Sequence, residues 1–197
     1  MLKSILAFYC LITVVSANVS LDSICTAMTQ QGVLSSDFTQ TKTIKGIPMP
    51  LTSTGTLTVD SSHGIVWQTK TPFPATLLLS KSGIFQVENG KRKNLVKGQH
   101  QDKGVMAILS KLLQGQFNRI TEFNVAVKEG STSEKWSLNL IALGGIAKII
   151  KTIDIQGDSY VRQITVFRVN GDKDQIVLRN HQLDPKLPNS ISSLLRG

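Results

Sequence analysis

The stretch Thr52-Ser53-Thr54-Gly55-Thr56-Leu57-Thr58-Val59-Asp60-Ser61-Ser62-His63-Gly64-Ile65-Val66-Trp67 decides how this chain is read. Leu57 and Val59 alternate with threonines, a pattern that gives a strand one buried and one wet face. Ser62-His63-Gly64 supplies a turn, and Ile65-Val66-Trp67 opens the next strand, so the stretch reads as a hairpin.

The pattern repeats outward in both directions. Strands are predicted at Phe38 to Lys45, Thr52 to Asp60, Gly64 to Thr69, Thr76 to Ser80, Gly83 to Glu88 and Lys91 to Val96. Later ones fall at Phe117 to Lys128, Lys135 to Ile141, Ala147 to Gln156, Tyr160 to Asn170 and Gln175 to Leu183, about eleven in all. Pro72-Phe73-Pro74, Lys81-Ser82-Gly83, Asn89-Gly90, Gly144-Gly145 and Asn170-Gly171-Asp172 punctuate them; Asn-Gly is the strongest hairpin signal, since both residues tolerate positive φ. Connections this short enforce antiparallel neighbours. Two segments have helical spacing instead: Val19 to Val33, with Leu21, Ile24, Cys25 and Met28 on one face behind Ser20 as N-cap, and Gly104 to Gly115, with Met106, Ile108, Leu109, Leu112 and Leu113. Pro185 and Pro188 end the last strand, and Asn189 is placed to cap a short helix through Leu195. The expected fold is mainly β with helices (α+β): one large, strongly curved antiparallel sheet with helices over its concave face.

Met1-Leu2-Lys3-Ser4, the apolar run Ile5 to Val15 and the small residues Val15-Ser16-Ala17 form a signal peptide, cut after Ala17. This divides the chain into a leader, 1–17, and a single domain, 18–197, expected outside the cytoplasm. The run is shorter than the roughly 20 residues a membrane span needs, and Cys10 stands away from the cut, so a released product without a lipid anchor is expected. Loss of Cys10 leaves Cys25 without an intramolecular disulfide partner. Lys and Arg number 22 against 13 Asp and Glu, a formal charge of +9. For an exported chain this points to transient contact with an anionic membrane surface, not to nucleic acid.

His63, His100 and His181 lack any spacing suited to a metal pair, and no nucleophile elbow, phosphate loop or Cys-x-x-Cys occurs. No catalytic residue, metal or cofactor is expected. The cluster Lys91, Arg92 and Lys93 is the sharpest charge feature; it reads as a solvated hairpin edge and as a basic contact for an acidic surface. Several strands are apolar on both faces, which one helix layer over one face does not explain. Trp67, Leu77, Leu79, Phe85, Phe123, Trp136 and Leu138 on the sheet, with Met106 and Leu109 on the helix above, are therefore expected to line a lipid-sized cavity.

The order of elements resembles the LolA-type periplasmic lipoprotein carriers. The likeness rests on Phe38-Thr39-Gln40; Gly55-x-Leu57-x-Val59 leading to Gly64-Ile65-Val66-Trp67; Pro72 and Leu77-Leu78-Leu79-Ser80-x-x-Gly83; Trp136-x-Leu138-x-Leu140; Ile153-x-Ile155; and the Asn170-Gly171-Asp172 turn. It implies an incomplete, strongly curved β-barrel closed by helices over an apolar cavity. It also implies a monomeric, non-enzymatic carrier that takes acyl chains of lipoproteins from an inner-membrane transporter to an outer-membrane acceptor. Ser61 stands where the family has a basic latch residue, and the chain ends in Leu194-Leu195-Arg196-Gly197 without the usual Phe-containing strand. Ile47-Pro48-x-Pro50-Leu51 resembles divergent members associated with lipid or acyl-polyene export, which widens the expected cargo to glycolipids and aryl-polyene lipids. A lipid-responsive sensor or adaptor and an acyl-ester hydrolase stand as alternatives.

Overall fold

The computed structural model describes residues 19–28, 32–80, 82–95, 100–184, 186, 187, 189, 191 and 192, with the backbone alone over 100–106. The expected leader and the end of the expected terminal helix lie outside these residues; Asn189, Ile191 and Ser192 are helical. No described helix is long and apolar enough to cross a membrane.

Among the described residues eleven strands form one antiparallel sheet. The first six are β1 (Val33–Thr43), β2 (Leu51–Asp60), β3 (Gly64–Thr71), β4 (Ala75–Ser80), β5 (Gly83–Glu88) and β6 (Lys91–Asn94). The other five are β7 (Phe123–Val127), β8 (Trp136–Ala142), β9 (Ile150–Gly157), β10 (Val161–Arg168) and β11 (Lys173–Asp184). Their order is β6-β5-β4-β3-β2-β1-β11-β10-β9-β8-β7. The first and last strands thus pair in the middle, with Phe38 opposite Leu178, while β6 and β7 are the two edge strands, each paired on one side only among the described residues. The result is an open, curved α+β barrel. Helix α2 (His100–Leu113) lies between β6 and β7 in the chain and so links the two free edges; α1 (Leu21–Met28) precedes β1.

Register sets the core. Leu57 faces Trp67 and Trp67 faces Leu77; Val59 faces Ile65 and Ile65 faces Leu79. Directly opposed residues share a face, so these rows point inward, and the alternation continues through Ile164, Ile155 and Leu138 on β10, β9 and β8. The helices deliver Ile24, Cys25 and Met28 from α1 and Ile108, Leu112 and Leu113 from α2 onto this face. The outward row explains why strands are apolar on both sides: Val66 and Leu78 form a second, small core with Ile191, joined by Phe85, Val87 and Leu187.

Local chemistry fixes both helix ends that matter. Ser20 caps α1, its Oγ accepting from the Ser23 amide at 3.1 Å while its own amide donates to Ser23 Oγ at 3.1 Å. α2 closes in a Schellman turn, the Gln116 amide donating to Lys111 O at 2.9 Å and the Gly115 amide to Leu112 O at 3.2 Å, with Gly115 at φ 68°. The sequence predicts one strand over Phe117 to Lys128, but the structure has a 3-10 turn at Phe117–Arg119 and a strand only from Phe123. The turn seats Phe117, fully buried, edge-on against Trp136 with ring centroids 5.5 Å apart. Gly144-Gly145, predicted as a tight turn, begins a 3-10 helix, Gly144–Lys148.

Candidate functional site

Five of the nine residues expected around a cavity, Trp67, Leu79, Phe123, Trp136 and Leu138, meet in the inner core, and Leu77 and Leu109 pack against it half-buried. Trp67 lies 4.5 Å from Phe38, centroid to centroid. Gly55 makes that contact possible, because a Cβ there would strike the Phe38 ring and the Gln68 carbonyl. Phe85 is not part of this group. It pairs with Leu78, hence faces outward with it, and the register that buries Leu77 and Leu79 requires this. The side chain of Met106 lies outside the described residues. Lys91 and Lys93 are exposed on the edge strand β6; Arg92 between them lays its guanidinium over the Phe85 ring at 5.7 Å, and Lys93 pairs with Glu88 at 3.5 Å.

Open space lies at the rim of this core. A half-open pocket of about 730 Å³ sits between α1, the end of α2 and the β1 and β2 termini. Its apolar floor is Cys25, Met28, Leu34, Val59 and Leu113, all in or against the inner core; its polar lip includes Asp22, Ser61, Ser62, Gln114 and Arg119. We call this pocket the mouth; its floor is the outer side of core residues, and none of the nine residues expected around a cavity lines it. Sequence reading misses it because its walls come from three segments far apart in the chain. The two local signals are Gly115, which turns the chain out of α2, and the Ser61-Ser62 turn.

A second hollow of about 390 Å³ shares Gly32, Ser61 and Ser62 with the first and adds Asp60, His63, Lys186, Asn189 and Ser192. Asp60, buried, organises the wall between them. Its Oδ1 accepts from the Ser62 amide at 2.7 Å and the His63 amide at 3.1 Å, and its Oδ2 stands 2.8 Å from His63 Nδ1. Burial alone pushes the Asp60 carboxyl up, but the His63 ring and the two amides outweigh it and hold the group below the usual carboxylate range. Among the described residues no group of three or more His, Cys, Asp or Glu is placed to hold a metal.

The mouth thus opens at one rim of an unclosed antiparallel barrel whose apolar concave face is covered by helices. Solved structures match this chain at 8–11% identity with TM-scores below 0.5. A LolA-superfamily protein from Nitrosomonas europaea matches with 8% identity over 87% of this chain and 94% of that one, TM-score 0.43. LprF from Mycobacterium bovis matches with 11% identity over 86% and 94%, TM-score 0.40. MucB, also solved in complex with MucA(peri), matches with 10% identity over 90% of this chain but 61% of its own, TM-score 0.49. No family model and no curated protein matches the sequence.

Proposed function

We propose that the protein is a non-enzymatic periplasmic carrier that takes acyl chains of a lipoprotein or related lipid under α1 and α2 and moves them between inner and outer membrane. The observation that carries this reading is the mouth: about 730 Å³, within the range of small-ligand sites, with an apolar floor continuous with the inner core and a polar lip. An acyl chain entering there gains about 0.8 kcal/mol per methylene buried. It replaces contacts that Met28 and Leu113 now make with the core. Trp67, Leu77, Leu79, Phe123, Trp136 and Leu138 form the apolar bed toward which the chain runs, with Leu109 and Met106 on the covering helix. Lys91, Arg92 and Lys93 on the free edge offer an acidic transporter or acceptor a basic contact.

The test is native mass spectrometry of the protein purified from the periplasm, followed by lipid extraction. A lipid adduct is expected on the wild type and is expected to fall at least tenfold in Leu34→Glu and Thr26→Trp, which charge or fill the mouth at half-buried and exposed positions. Purified protein that carries no lipid and accepts neither lipoproteins nor acyl lipids overturns the reading.

A further inference from the structure

Three neighbouring connections of the sheet lie at one end of the barrel, opposite the mouth. Strand order places the β3–β4, β1–β2 and β10–β11 connections side by side, whereas Leu34, Val59 and Ser61 stand at the other end of β1 and β2. Five of the nine large apolar side chains exposed among the described residues gather there: Ile47, Met49, Leu51, Phe73 and Val169. Met49 and Phe73 are the extremes, 78% and 81% exposed. Each is held between two prolines, Pro48-Met49-Pro50 and Pro72-Phe73-Pro74. Proline fixes its own φ and restricts the residue before it, so both tips are presented with little conformational freedom left to lose on binding.

The connections are also tied to one another. The Lys45 amide donates to Asp172 Oδ1 at 3.0 Å, joining the β1–β2 loop to the β10–β11 turn, and Thr54 and Thr71 share a hydroxyl hydrogen bond of 2.7 Å between β2 and the end of β3. Around the tips stand Lys42, Lys45, Lys70 and Lys173, none with a carboxylate ion pair among the described residues. Of the acids nearby, Asp174 is buried on Arg168, and Asp172 is engaged by the Lys45 amide and the Asn170 side chain. The uncompensated charge is positive.

We infer that this end of the barrel docks on an anionic phospholipid bilayer, with Met49 and Phe73 inserted among the headgroups and the lysines at the level of the phosphates. Separate rigid apolar tips interleaved with lysine suit an interface of lipid headgroups and acyl chains. A protein interface differs in having a continuous core depleted of lysine. The inference does not depend on the carrier reading, since it concerns the opposite end of the molecule and needs no cargo.

The experiment is co-sedimentation of the full protein with vesicles of phosphatidylglycerol and phosphatidylethanolamine, and separately with phosphatidylcholine vesicles. Wild type is expected to bind the anionic vesicles and to be released by 0.5 M salt, roughly the behaviour of a screened surface contact. Met49→Asp combined with Phe73→Asp is expected to weaken binding at least tenfold with an unchanged circular dichroism spectrum and Tm, both side chains being solvent-exposed. Lys45→Gln and Lys70→Gln are each expected to weaken it by roughly fivefold. Failure of wild type to bind anionic vesicles overturns the inference, as does equal binding by the Met49/Phe73 double variant. A lipid-free protein that still sediments with anionic vesicles would support docking while counting against the carrier reading, so the two stand or fall separately.

Discussion

Asp60 Oδ2 and His63 Nδ1 stand 2.8 Å apart across the β2–β3 turn, where the mouth and the second hollow share a wall. Removing either partner leaves the buried carboxylate short of a donor, or the ring without its orienting acceptor. Asp60→Asn and His63→Ala are each expected to lower stability by about 1–3 kcal/mol. The double variant should lose less than the sum, which a chemical-denaturation cycle measures. Because Asp60 is held below its ordinary value of 3.8, its contribution is fully present above that pH and fades as pH falls through the lower folded value. Acid unfolding of His63→Ala should therefore be shallower than that of wild type below about pH 4.

A second pH effect is expected from His181, and it lies nearer neutrality. His181 Nδ1 accepts from Arg162 at 2.8 Å, and its Nε2 donates to Val161 O at 3.1 Å, which fixes the neutral ring; Tyr160 stacks on it at 4.8 Å. Burial, then the Arg162 charge, pushes the imidazole below its ordinary 6.5, against the pull of the Val161 carbonyl and Asp158. The folded state thus binds this proton less readily than the unfolded chain. Stability from His181 is complete above pH 6.5 and declines as pH falls from there toward the folded value. NMR titration should place its midpoint below that of a free imidazole, and the Tm loss between pH 7 and about pH 5 should be smaller in His181→Gln than in wild type.

Gly115 tests how α2 is seated. At φ 68° an added Cβ meets the Met28 side chain directly, so Gly115→Ala should both strain the turn and push α2 away from α1. A loss of about 1–3 kcal/mol in thermal or denaturant unfolding is expected from the backbone conformation alone. Gly90, at φ 72° with nothing within 4 Å of an added Cβ, provides a control that carries the backbone strain without the collision.

Leu79→Glu separates core from mouth. Leu79 is 4% exposed and packed in the inner core, so an unpaired carboxylate there should lower stability by about 4 kcal/mol or more. Leu34→Glu, on the half-buried floor of the mouth, should cost clearly less than Leu79→Glu in denaturant unfolding. Equal losses from the two would show that Leu34 belongs to the core and does not border open space.

Much of the architecture is legible in the sequence because it rests on local alternation. Gly83–Glu88 and the hairpin through Gly64 follow directly from period-two patterning and from turns that need positive φ. Phe117 reads as strand because its surroundings are apolar enough for one; its conformation is set by the ring of Trp136, a partner that no local pattern reveals. Hydrophobicity alone assigns Phe85 to the cavity, but a strand's two faces are told apart only by register, and its pairing with Leu78 sends it outward. The mouth is the least visible feature. Asp22, Leu34, Ser61 and Arg119 acquire a shared role only when three distant segments meet.

The unpaired edges of β6 and β7 give the molecule the mechanics of a split ring. A closed barrel fixes its girth through strand number and hydrogen-bond stagger, so widening it breaks ladder bonds. Here the circumference is interrupted where the chain passes through α2, and the ring can spread by sliding side-chain contacts while every strand pair stays intact.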